Sequence, residues 1–156
     1  MVQIRPYVPS DRAFILSLAP RLVFGRQAWR DEQLWLTAAE SGLTGTIDQH
    51  NQKTQIFIAQ DEFAQDKEAQ QLGFATVSHS THFTGQPQAS IGLLATSEIA
   101  EGRGVGTALV EACAQWAREQ GYTLLTVSTG AANTRALRLY HHLGFRDEEI
   151  TLTKLL

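Results

Sequence analysis

Glu101-Gly102-Arg103-Gly104-Val105-Gly106-Thr107-Ala108-Leu109 sets three glycines between the apolar run Ile91-Gly92-Leu93-Leu94-Ala95 and a segment in which Val105, Leu109, Ala112 and Trp116 recur. The apolar run reads as a central strand, and the recurrence at the helical period predicts an amphipathic helix ending near Gly121. Glycine permits a tight backbone turn and lets a ligand come close where a Cβ would otherwise stand. The first amides of the helix are unpaired donors at the positive end of its dipole. Strand, glycine turn and helix start therefore make an anion site suited to a phosphate or pyrophosphate.

Two common phosphate loops do not match these residues. A P-loop requires a lysine before its Ser or Thr, and Gly106-Thr107-Ala108 has none. A dinucleotide fingerprint requires G-x-G-x-x-G and an acid at the end of the next strand; here the spacing is G-x-G-x-G, and Leu124 to Ser128 carries no acid. Taken alone, the glycines fit a plain strand-to-helix turn as well as a phosphate site.

Working outward, Val2 to Pro6 reads as a strand, and Ser10-Asp11 is placed to cap a helix over about Asp11 to Ala19. Asp31 starts a second helical pattern, with Leu34, Trp35, Ala38 and Leu43 on one face and Gly42 and Gly45 as its end. Thr54 to Gln60 and Leu72 to His79 read as strands joined by a solvated loop over Asp61 to Glu68, and Gln88 to Ser97 as the central strand. After the glycines come a strand over Leu124 to Ser128, a helix over Asn133 to Leu143 ended by Gly144, and a last strand over Ile150 to Leu155. The order is a mixed α/β plan in one domain spanning 1–156.

Downstream of the glycines, Asn133-Thr134-Arg135-Ala136-Leu137-Arg138-Leu139-Tyr140-His141-His142-Leu143-Gly144-Phe145 has the pattern N-x-x-A-x-x-L-Y-x-x-x-G-F. The two motifs, in this order and separated by a helix and a strand, resemble the GNAT superfamily of N-acetyltransferases. The resemblance implies a central, mostly antiparallel mixed sheet flanked by helices, with splayed strands forming an acyl-CoA cleft. It implies acetyl-CoA as acyl donor, held by the amides from Gly102 through Arg103, Gly104, Val105 and Gly106 to Thr107. Leu94, Ala95 and Thr96 would line the pantetheine arm, with the backbone of Leu94 and Thr96 pairing to it. Asn133 and Ala136 would contact the cofactor. Tyr140 would sit near the sulfur as general acid to the leaving thiolate while an amine attacks the thioester. Residues 94 to 145 carry the diagnostic motifs.

The chain departs from the family pattern in two places. Glu101 stands where the first motif usually has Gln or Arg; a carboxylate there would oppose a pyrophosphate unless it tilts outward. The strand before the glycines, Gln88 to Leu94, has no carboxylate to act as base, which leaves His79, His82, a water, or an already neutral amine. Arg103 and Arg138 are candidate counterions for the phosphates. A module that binds acyl-CoA without turnover is the alternative reading of the same residues.

Composition narrows the partners. Thirteen Lys and Arg against sixteen Asp and Glu give a net charge of -3 with no basic run, which argues against nucleic acid. The lone Cys113 excludes an internal disulfide, and no stretch approaches the roughly 20 apolar residues of a membrane helix. A cytoplasmic enzyme acting on a small-molecule amine is expected, with no membrane partner and no metal; a homodimer is compatible with the resemblance. The apolar connection Phe24 to Trp29 is the expected wall of the acceptor pocket.

Overall fold

A computed structural model describes residues 1–62 and 69–156 of the chain. Five strands lie in one sheet in the order β1 (Val2–Pro6), β2 (Thr54–Asp61), β3 (Gln70–Thr81), β4 (Pro87–Thr96) and β5 (Leu125–Val127). The first four are antiparallel neighbours and β5 runs parallel to β4. This is the expected mixed, mostly antiparallel sheet. A parallel pair needs a crossover, which is supplied by α3 (Val105–Glu119).

Helices cover both faces. On one, α1 (Arg12–Ser17) and α2 (Glu32–Asp48) bury Ile15, Leu43 and Ile47 against Ile56, Ile58 and Phe74. On the other, Val105, Leu109, Val110 and Cys113 of α3 and Tyr140 of α4 (Thr134–His142) meet Leu72, Ala75, Val77 and Ile91. Covered on both sides, β3 is buried from Leu72 through Val77, so its apolar residues form a run and do not alternate.

Four expectations need correction or fall outside the structure. Helix α1 is shorter than predicted and gives way to a 3-10 stretch over Ala19–Gly25, because Pro20 has no N–H to continue an α-helix. Helix α2 runs through Gly42 and Gly45 to Asp48. Each glycine costs a helix about 1 kcal/mol, less than the burial of Leu43 and Ile47 returns. The predicted strand over Ile150 to Leu155 does not form: residues 146–156 are exposed and join no strand, and a strand without a neighbour is not stable in water. Of the predicted loop over Asp61 to Glu68, Asp61 closes β2, and residues 63–68 lie outside the described residues.

One irregularity shapes the centre of the sheet. Ala75 faces Leu94 and Val77 faces Ile91, so Gly92 and Leu93 together oppose Thr76, a bulge in β4. The Leu93 amide donates to Thr76 Oγ1 at 2.9 Å, and a Cβ on residue 92 would lie 2.9 Å from that same oxygen. Only glycine fits. Past the bulge the pairing with β5 stops: the last pair is Ile91 with Val127, while β4 continues to Thr96 paired with β3 only.

Candidate active site

The parting of β4 and β5 opens a cleft of about 1130 Å³. Its walls include Leu93 to Thr96 from β4, Val127 to Gly130 after β5, the glycine turn, and Asn133, Ala136 and Tyr140 of the α4 segment. Its other end is walled by Phe24, Trp29, Leu34 and Trp35.

At the start of α3, Gly104 adopts φ 73° as N-cap and no side chain caps the helix. The first helical hydrogen bond runs from the Ala108 amide to Gly104 O at 3.0 Å. Among the described residues, the amides of Gly102, Gly104, Val105, Gly106 and Thr107 find no acceptor. A Cβ at Gly102 or Gly104 would meet open space, so the constraint at these positions is the left-handed backbone itself. The geometry fits a pyrophosphate lying over unpaired amides at a positive helix end.

Strand parity decides what β4 can offer. The Ser97 amide donates to Leu72 O at 2.9 Å, so, by the alternation of an antiparallel ladder, Ala95 also directs its backbone groups to β3. Leu94 and Thr96 then face the cleft. The expected backbone role fits Leu94 and Thr96; Ala95 contributes only a buried side chain on the cavity wall. Thr96 O already accepts from Arg21 Nε at 2.9 Å, which leaves the Thr96 amide and both Leu94 groups open.

Tyr140 is buried, with its ring edge-on to Phe145 at 5.5 Å. Its hydroxyl has no partner among the described residues, yet no buried side-chain oxygen or nitrogen there lacks one. The oxygen must therefore retain exposure, and the residue lines the cleft. Burial, helped by nearby Cys113, pushes the phenol up to about 12. It stays protonated and able to donate at any physiological pH.

Asn133 caps α4 through Oδ1, which accepts from the Ala136 amide at 3.1 Å. Its amide nitrogen is left to donate into the cavity that it lines. Glu101 also lines the cavity, and its carboxylate accepts from Arg21 Nη2 and Arg135 Nη1, both at 2.8 Å. The Arg21 bond, then the Arg135 bond, hold that carboxyl below its ordinary value. Arg21 in turn lies over the Phe24 ring, 4.8 Å from its centroid.

Other expected residues are not brought to the cleft. Arg103 closes a turn with its amide on Ala100 O, its guanidinium Nη2 pairs with Asp61 at 2.5 Å, and the residue does not line the cavity. Arg138 is exposed on α4 and does not line the cavity. His79 bonds Tyr122 and packs edge-on to Trp116, while His82 bonds Thr84 in the turn after β3. Neither histidine reaches the cleft.

Arg21, Arg30, Asp31 and Arg135 are charged cavity residues to which the sequence reading gave no site role. Asp31 is a cavity carboxylate at the aromatic end, and its Oδ1 caps α2 on the Leu34 amide at 2.8 Å. Its capping role was legible in the sequence; its position beside the aromatic wall follows only from how α2 packs.

Comparison with known proteins gives a consistent picture. The family described as Acetyltransferase (GNAT) family matches residues 15–145. Mycothiol acetyltransferase of Arthrobacter sp. is 29% identical over 127 residues, covering 74% of this chain and 39% of that protein. N-acetyltransferase 8 of Rattus norvegicus is 36% identical over 63 residues, 40% of this chain and 28% of that protein. The chain spans 22% to 39% of the length of the curated relatives it matches. Among solved structures, AAC(6')-Iy in complex with the bisubstrate analog CoA-S-monomethyl-acetylneamine superposes with a TM-score of 0.67 at 18% identity, covering 100% of this chain and 98% of that one. At that identity the likeness speaks for the fold.

Proposed function

Because this chain belongs to the GNAT acetyltransferase family, we propose that it transfers the acetyl group of acetyl-CoA to a primary amine of a small molecule. The observation that carries the reading is the cleft between β4 and β5, which joins the unpaired amides of the α3 start to the phenol of Tyr140. An extended thioester with a pyrophosphate matches both ends of that path.

In this reading the amides of Gly102 and of Gly104 to Thr107 bind the pyrophosphate, and Leu94 and Thr96 pair with the pantetheine amides as an added strand. The Asn133 amide nitrogen donates to the same arm. Acetyl-CoA supplies an activated thioester carbonyl. As the amine attacks, a C–N bond forms, the C–S bond breaks with its electron pair leaving on sulfur, the nitrogen's proton passes to solvent, and the released thiolate takes up one from solvent. Tyr140 serves the sulfur as a hydrogen-bond donor. A phenol at about 12 is a weaker acid than a thiol near 8.5, so it stabilises the departing thiolate without giving up its proton completely.

The acceptor enters past Phe24, Trp29, Leu34 and Trp35, which favours an amine on an apolar body. Asp31 is the carboxylate suited to steer its ammonium group, because Glu101 is engaged by two arginines.

The test is a thermal shift with acetyl-CoA, CoA, ATP and NAD, followed by thiol release over an amine panel. A ligand at about 100 times its Kd stabilises the fold by ~2.7 kcal/mol, a rise of roughly 5–10 °C for a chain of this size. A rise with both CoA species alone and thiol release with some amine are expected. Tight CoA binding with no release across the panel would make the chain a sensing module, and no rise with CoA would defeat the cofactor assignment.

A further inference from the structure

Arg30 and Asp31 are opposite charges on neighbouring residues, and both line the cleft among Phe24, Trp29, Leu34 and Trp35. Among the described residues the Arg30 guanidinium makes no hydrogen bond or ion pair. Asp31 uses Oδ1 on the Leu34 amide at 2.8 Å, and its second oxygen has no partner among the described residues. The two side chains do not pair with each other, although the chain holds their Cα atoms about 3.8 Å apart. The cavity's remaining charged side chains, Arg21, Glu101 and Arg135, are joined in one cluster.

The turn that carries Arg30 is tied down. The Arg26 amide donates to Val23 O at 2.9 Å and the Arg30 amide to Gln27 O at 3.0 Å. Arg26 Nη1 donates to Arg30 O at 2.6 Å, and its Nη2 lies 3.8 Å from Glu32. Trp35 is fixed as well, its Nε1 donating to Leu22 O at 3.2 Å. Arg26 thus serves the fold, whereas the guanidinium of Arg30, four residues on, serves no contact in it. A planar guanidinium held on a braced turn at a cavity wall is suited to a carboxylate, which it can meet with two parallel hydrogen bonds.

Two close-set charges of opposite sign, placed over an aromatic wall, fit a molecule that carries both charges itself. We infer that the acceptor is an α-amino acid with an apolar or aromatic side chain. Its carboxylate meets Arg30, its ammonium meets Asp31, and its side chain lies against Trp29, Leu34 and Trp35. Trp29 and Leu34 are 47% and 72% exposed, apolar surface that a bound side chain would cover. A simple amine would leave Arg30 without a partner, and a charged side chain would meet the aromatic wall.

The inference rests on the acetyl-transfer reading and specifies its acceptor. Selectivity follows from the same charges, because a site built to pair a polar group discriminates against an analogue that lacks it. Acetylation removes the positive charge from the nitrogen, so the product keeps its partner on Arg30 and loses the one on Asp31.

The test compares matched substrates on the full chain. L-phenylalanine, L-tryptophan and L-leucine are each assayed by thiol release beside the amine left when the carboxylate is removed. In at least one pair the amino acid is expected to show a kcat/KM about 10- to 100-fold above its amine, the worth of one charge-assisted pair. Arg30→Gln should bring the amino acid down to the level of its amine, with acetyl-CoA affinity by titration as in the native chain, and Arg30→Lys should recover part of the margin. Equal release from both members of every pair, release only from amines without a carboxylate, or an equal fall for both members in Arg30→Gln would sink the inference and leave acetyl transfer standing. Weaker acetyl-CoA binding in Arg30→Gln would assign the guanidinium to the cofactor and overturn the inference as well. Acetyl-CoA binding with no release from any amine would overturn the transfer reading itself, and the acceptor with it.

Discussion

Replacing Gly104 by alanine should separate ligand binding from folding, with Gly121→Ala as its control. Both glycines flank α3, both hold positive φ (73° and 84°), and an added Cβ at either meets no atom within 4 Å. Each substitution should cost about 1–2 kcal/mol for placing an L-residue in the left-handed region. A change of 1 kcal/mol moves the melting temperature of a chain this size by roughly 2–4 °C, so both variants should melt about 2–8 °C lower. Only at position 104 does the new methyl group stand on the wall of the cleft, over the unpaired amides. Pushing a phosphate off one charge-assisted hydrogen bond costs about 1.5–3 kcal/mol, a loss of roughly 10- to 100-fold in affinity at 1.4 kcal/mol per decade. Isothermal titration with acetyl-CoA checks this. Native affinity in Gly104→Ala, or an equal loss in Gly121→Ala, would refute the assignment of the α3 start as the phosphate site.

Tyr140→Phe should leave acetyl-CoA affinity nearly unchanged and lower kcat about 100-fold, with no alkaline fall in the native rate that traces to Tyr140 below pH 10, because its phenol titrates only near 12. Asp11→Ala should destabilise the fold by about 3–5 kcal/mol, measured by urea unfolding, since it strips a buried carboxylate from Arg5, the Val8 amide and Gln71. Burial tends to raise the Asp11 carboxyl, but those hydrogen bonds outweigh it and hold it below its ordinary value. Its contribution is thus present at neutral pH and is lost as pH falls through its depressed value. In alkali the sign reverses. Burial raises Cys113 from 9.0 and Tyr140 from 10.0, each to about 12, so urea stability should hold up to about pH 9 and fall as pH rises toward 12. On the order of 3 kcal/mol of that fall comes from Tyr140, and the part that begins near pH 9 should be absent in Cys113→Ala.

What was legible in the sequence was local. The glycine turn, the period of α3 and the Asn133 cap each depend on residues within a few positions of one another, where backbone geometry follows from residue type. The β4 parity did not. Which of Leu94, Ala95 and Thr96 faces the cleft depends on the bulge at Gly92 and on register with β3, and one residue of slip reverses the answer. Glycines 42 and 45 misled because propensity was weighed without the burial of Leu43 and Ile47. His79 sits on the expected strand but at its far end, and His82 in the turn beyond it, a distinction that depends on where β4 and β5 part.

Glu101 shows how a residue that looks adverse in sequence is accommodated in space. A lone carboxylate beside an anion site would repel a phosphate. Here it receives Arg21 from the stretch after α1 and Arg135 from the first turn of α4, so these three cavity groups carry one net positive charge; the exposed Glu98, 3.9 Å from Arg21 Nη1, lies outside the lining. The carboxylate holds two long, flexible guanidinium groups at the rim, and Arg21 is fixed further by Thr96 O and the Phe24 ring. Ordering these side chains in advance lessens the entropy that a ligand would otherwise have to oppose. An Arg or Gln at position 101 would bind a phosphate directly but would leave Arg21 and Arg135 without this anchor. The departure from the family motif therefore moves positive charge from one position to two neighbours contributed by distant segments, and the cavity retains its attraction for an anion.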